Sequence, residues 1–171
     1  MYQRLLQLPK HPKSSFFLWG PRQTGKSSLL KSLYPDALWI NLLKNSEMMA
    51  YSTRPDYLTS VISEKKPRLV IIDEVQKVPA LLDEVHSLIE DKKIVFGLCG
   101  SSARKLKRGQ ANLLGGRALR NELFGLVSAE LGKNFNLSAL LNDGYLPRFT
   151  NRLMHAEGLR PIAPITSKKR F

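Results

Sequence analysis

Residues 20 to 27 read Gly20-Pro21-Arg22-Gln23-Thr24-Gly25-Lys26-Ser27, the complete G-x-x-x-x-G-K-S pattern of a phosphate-gripping loop. Each fixed position has a chemical task. Glycines at 20 and 25 permit backbone angles and close approaches that a Cβ would block. The Lys26 ammonium belongs against β and γ phosphates, and the Ser27 hydroxyl is suited to Mg²⁺. Arg22 and Thr24 fall in the variable part, to which the motif gives no side-chain role. The expected nucleotide-binding set is Gly20, Pro21, Arg22, Gln23, Thr24, Gly25, Lys26, Ser27 and Ser28. A nucleoside triphosphate is the ligand that this loop chemistry implies.

Further along, Leu69-Val70-Ile71-Ile72 ends in Asp73-Glu74. A continuous apolar run of this kind reads as a buried parallel strand with two carboxylates at its C-terminal tip. Ligands of open parallel sheets bind at that edge. Asp73 is then placed to hold the Mg²⁺ shell, and Glu74 is the candidate general base for an attacking water. A third run, Ile94 to Cys99, ends in Gly100-Ser101-Ser102. A hydroxyl there can touch the γ-phosphate or orient the water; Ser101 is the first choice and Ser102 the second.

These residues need elements to hold them. Phe16-Phe17-Leu18-Trp19 is the strand that delivers the loop, and Ser28 to Leu33 continues it as a helix. A short helix is expected around Tyr2 to Leu8, stopping near Pro9 and Pro12. Ala37 to Leu42 reads as a strand. A helix starting near Arg54-Pro55-Asp56 carries Leu58, Val61 and Ile62 on one face and ends at Lys65-Lys66-Pro67. Pro79 to Glu90 has Leu81, Leu82, Val85, Leu88 and Ile89 at helical spacing, and Leu123 to Val127 is expected as the last strand. The alternation predicts an α/β fold: a P-loop NTPase three-layer sandwich with a mainly parallel sheet and helices on both faces.

Composition narrows the field. The 171 residues suffice for one domain with a real core. The chain has no stretch apolar enough to span a membrane, no secretory leader pattern and no internal repeat. The single cysteine, Cys99, excludes an internal disulfide, sits in a core strand pattern and fits a reducing compartment, so a cytoplasmic protein is expected. His11, His86 and His155 are scattered and have no metal-ligand spacing. The formal charge is +13, and residues 92–171 hold 15 basic against 4 acidic side chains. Its densest run, Arg104-Lys105-Leu106-Lys107-Arg108, keeps nucleic acid open as a partner, although no nucleic-acid fold signature accompanies it. The chain lacks an N-K-x-D or T-K-x-D segment for guanine, and a lid with paired arginines is not evident, which argues against a GTPase and a small-molecule kinase.

Taken together, the loop at 20–27, Asp73-Glu74-Val75-Gln76-Lys77-Val78-Pro79, Gly100-Ser101-Ser102-Ala103-Arg104-Lys105-Leu106, Asn112-Leu113-Leu114-Gly115-Gly116-Arg117-Ala118 and Leu126-Val127-Ser128-Ala129-Glu130 resemble the prokaryotic AAA-type ATPases that carry a C-terminal DUF4143 domain. The resemblance covers roughly Tyr2 to Glu130. It implies an ATP-binding domain over 1–135, with Mg²⁺-dependent ATP hydrolysis and a sensor role for Ser101. It also makes Arg117 a candidate for γ-phosphate contact, in cis or from a neighbouring subunit, with Arg104 and Arg120 as rivals. An arginine supplied in trans would require self-association. Members of that family continue into a second domain, so 136–171 is expected to be a truncated connector and basic tail. The competing reading is a nucleotide-binding switch or nucleic-acid-binding module that hydrolyses little or nothing.

Overall fold

The structure is a computed structural model that describes residues 2–101, 113–138 and 146–147. Strands β1 (Ser15–Trp19), β2 (Leu38–Asn41), β3 (Leu69–Asp73), β4 (Val95–Gly100) and β5 (Ala118–Glu122) make one sheet in the order β2-β3-β4-β1-β5. Every neighbouring pair is parallel. The helices are α1 (Lys26–Leu33), α2 (Asn45–Thr53), α3 (Tyr57–Lys65), α4 (Leu81–Lys92) and the short α5 (Ser128–Leu131).

The inner strands are apolar throughout because both faces are covered. Phe17 and Trp19 turn to one face, where Val70, Ile72, Phe96 and Leu98 meet Leu58 and Ile62 of α3 and Leu81, Leu82, Val85 and Leu88 of α4. Phe16 and Leu18 turn to the other, packing with Ile71, Cys99 and the α1 side chains Leu29 and Leu30. This is the period-two alternation of a strand read on two cores at once. Fully burying side chains such as Ile72 or Leu98 contributes about 1.5–3 kcal/mol each. The helices stop where the chain turns left-handed: Lys66 (φ 44°) ends α3 ahead of Pro67, and Lys93 (φ 51°) ends α4.

Three expectations need correcting. Residues 2–14 form no helix. The segment is instead tied down across the fold: Leu5 N–H donates to Glu130 at 2.9 Å, and Tyr34 Oη donates to the Pro9 carbonyl at 2.8 Å. Among the described residues the last strand is Ala118–Glu122, not Leu123–Val127. It lies at the sheet edge and pairs only with β1, so it tolerates the polar residues that hid it. The helix α2 was not foreseen; its Met48-Met49-Ala50-Tyr51 run is consecutive rather than spaced, and only Tyr51 is buried. Among the described residues no helix is long and apolar enough to cross a membrane.

Candidate functional site

The loop between β1 and α1 leaves the C-terminal end of β1, which lies between β4 and β5 in the sheet. Gln23 (φ 66°) and Gly25 (φ 88°) both take left-handed backbone, the form in which successive N–H groups create an anion-binding concavity. Gly25 then caps α1, whose N-terminal end carries partial positive charge. Gly20 has a different reason to be glycine. A Cβ there would lie 1.9 Å from the Leu123 carbonyl oxygen, because the loop passes against the backbone leaving β5.

Lys26 is only 5% exposed, and its Nζ donates to the carbonyls of Gly20 and Pro21, both at 2.7 Å. The ammonium is thereby held over the loop it serves. Ser27 Oγ donates to Asp73 Oδ2 at 2.6 Å, which joins the loop to the tip of β3. The other oxygen of this buried carboxylate, Asp73 Oδ1, has no hydrogen-bond partner among the described residues. An orphaned carboxylate oxygen beside a serine hydroxyl suits a hard cation such as Mg²⁺, which takes few protein ligands and otherwise binds water and phosphate oxygens. Ser27 and Asp73 are the residues that would hold it.

Glu74 sits in left-handed backbone (φ 59°) immediately after β3. Its Oε2 accepts hydrogen bonds from Gln76 Nε2 and, at 3.2 Å, from Ser101 Oγ, while Gln76 Nε2 also reaches Ser101 Oγ at 3.1 Å. The general-base candidate and the strand-end serine are therefore in one hydrogen-bonded group. A cleft of about 510 Å³ brings the two halves together, lined by Arg22, Gln23, Gly25, Lys26, Ser27, Ser28, Leu43, Glu74 and Pro147. Gly20, Pro21 and Thr24 shape the loop without lining this cleft; Thr24 is fully buried, and its Oγ1 donates to the Pro21 carbonyl at 3.0 Å.

Cys99 lies under the site, opposite Asp73 in the β3–β4 register, and is completely buried. Burial first, and then the neighbouring Asp73, push its thiol well above the usual range, so it stays a neutral packing group.

Arg117 lies away from the loop of its own chain. It precedes β5, and Ala118 pairs with Ser15 at the start of β1, whereas the loop follows Trp19 at the other end. A strand of this length separates the two by about 16 Å. Arg117 is paired there with the Glu90 carboxylate and the Gly115 carbonyl. Arg120, one rival, pairs with Glu122 on the exposed edge strand. Ser102 and the other rival, Arg104, lie outside the described residues, as do the basic run 104–108, His155 and most of 136–171.

Gln76 carries no signal in the sequence beyond its place in the Asp73-to-Pro79 motif, and Leu43 and Pro147 are brought to the cleft by tertiary packing alone.

The fold has relatives among solved structures. The Aeropyrum pernix ORC2 protein in its ADP form is 14% identical with a TM-score of 0.52, over 85% of this chain and 58% of that one. A Walker-type ATPase of Pyrococcus abyssi is 15% identical with a TM-score of 0.52, over 79% of this chain and 60% of that one. The chain thus spans about three fifths of the length of either protein, and at these identities the likeness is one of fold. No curated protein sequence matches the chain. The AAA domain family matches residues 12–132. That span takes in every strand of the sheet and both halves of the cleft, so the chain belongs to the AAA domain family.

Proposed function

We propose that the chain binds ATP with Mg²⁺ in this cleft and hydrolyses it. The observation that carries the reading is the 2.6 Å bond from Ser27 to Asp73, with Lys26 and Glu74 lining the same cleft. On binding, the Lys26 ammonium exchanges its loop carbonyls for β and γ phosphate oxygens. Ser27 and Asp73 would hold the cation, which would neutralise charge on those oxygens. Glu74 takes a proton from a water at its carboxylate while Ser101 and Gln76 hold that carboxylate in place. The water oxygen bonds to the γ-phosphorus and the β–γ bridging bond breaks, leaving ADP and inorganic phosphate.

Adenine and a place among the AAA proteins with a DUF4143 domain rest on the motif resemblance and the family, and a cytoplasmic setting on the single cysteine. A second reading, a nucleotide-binding switch with little turnover, is favoured by the position of Arg117: no arginine that the resemblance suggested reaches the cleft from within the described residues. Self-association would supply one from a neighbour, and nucleic acid would be the partner of the basic C-terminal half.

Phosphate release and labelled-ATP binding, each with and without DNA, separate the readings. Hydrolysis that stops without Mg²⁺ and is lost with binding in Lys26→Ala is the expected result. ATP binding with no release under any condition leaves only the switch, and unchanged ATP binding by Lys26→Ala removes the site.

A further inference from the structure

We infer that Arg4 is a positioning residue for the phosphate loop, and that with Glu130 it forms a buried clamp setting the affinity of the cleft. The inference rests on the nucleotide-binding reading above. Arg4 lies before the span that the family matches, in the segment misread as a helix.

All three nitrogens of its guanidinium donate hydrogen bonds. Nη1 donates to the Thr24 carbonyl at 2.7 Å, Nη2 to the carbonyl of Phe124 at 2.7 Å and more weakly to that of Gly125 at 3.4 Å, and Nε to Glu130 Oε1 at 3.0 Å. The Arg4 and Glu130 side chains are 6% and 4% exposed. Glu130 also accepts from the N–H of Leu5 at 2.9 Å and of Val127 at 3.2 Å. One planar cation therefore links the N-terminal segment, the loop, and the chain entering α5.

The point of attachment is what gives this contact a role. Thr24 stands between the two left-handed residues, Gln23 and Gly25, that give the loop its concave form. Its side chain is completely buried. A charged donor on its carbonyl fixes the orientation of that peptide unit, and a buried carbonyl that loses such a partner costs stability unless the backbone turns to find another. Turning it would misdirect the Gly25 amide, which begins the helix facing the phosphates. A lysine keeps the charge but cannot make the forked set of bonds.

The test compares Arg4→Ala, Arg4→Lys and Tyr34→Phe. The last removes the Tyr34–Pro9 bond, which anchors the same N-terminal segment on the other core and touches nothing in the cleft. Titration with fluorescent ATP gives Kd and stoichiometry separately, and hydrogen–deuterium exchange follows amides 20–27. The expected result is about ten-fold weaker binding in Arg4→Ala, a smaller loss in Arg4→Lys, unchanged stoichiometry in both, and faster loop exchange. Tyr34→Phe keeps the wild-type Kd. A wild-type Kd and loop exchange in Arg4→Lys and Arg4→Ala, with only the bindable fraction reduced, overturns the proposal and makes the pair a mere fold stabiliser. If Arg4→Ala does not fold, Arg4→Lys decides by the same two readouts. A wild-type chain that binds no nucleotide overturns the site reading and the affinity role with it, and is recognised because Lys26→Ala then changes nothing.

Discussion

At the scale of residues, the chemistry rests on groups whose partners are already chosen. Glu74 is held by Gln76 and Ser101 before any substrate arrives, so its carboxylate has one main orientation available. Glu74→Gln should therefore keep ATP binding and lower turnover by about 100-fold or more, as expected for loss of a general base. Single-turnover phosphate release checks this, and turnover equal to wild type reassigns the base. Lys26, Ser27, Asp73, Glu74 and Ser101 could be picked out in the sequence because local spacing fixes them: two on one loop, two at a strand tip, one at the next strand end. Arg4 was not legible. Its partners lie 20 and 126 positions away, and nothing in its own neighbourhood distinguishes it from a surface arginine.

At the scale of elements, the strands β1, β3 and β4 and the helices α1, α3 and α4 could be read because burial on two faces or one leaves a strong apolar pattern. The strand β5 could not, since an edge strand needs only one partner and here leaves Leu119, Arg120 and Glu122 exposed. Mistaking the residues after it for the strand also concealed what they do. Leu123 N–H donates to the Trp19 carbonyl at 2.7 Å, so the exit of β5 runs directly against the start of the loop. Gly20→Ala forces a methyl onto the Leu123 backbone, which cannot swing aside as a side chain would. The expected cost is about 2 kcal/mol or more of stability together with a weakened nucleotide site. Thermal unfolding and ATP titration of the variant measure the two effects; a wild-type Tm would show that the loop and β5 are not in this contact.

At the scale of the whole molecule, charge and order of assembly matter most. Burial raises the proton affinity of Glu130, but hydrogen bonds from Leu5 and Arg4, then Val127, outweigh it and hold the carboxyl below its ordinary value of 4.5. Its contribution to stability is thus present in full above that ordinary value and is lost as pH falls through the lower folded one. Wild type should exceed Glu130→Gln by about 2 kcal/mol at neutral pH, and the gap should narrow as the solution is acidified below pH 4.5. Paired thermal melts across that range test it; a gap that stays constant in acid would mean that the carboxylate's charge contributes nothing.

The strand order also dictates how the polypeptide matures as it is made. β1 is the first strand synthesised, yet both of its neighbours, β4 and β5, come late, pairing Phe16 with Gly97 and with Leu119. Until those stretches leave the ribosome, Phe16, Phe17, Leu18 and Trp19 have no ladder to join and remain a sticky apolar ribbon. The loop that follows β1 thus gains its final shape only when the sheet closes around that first ribbon.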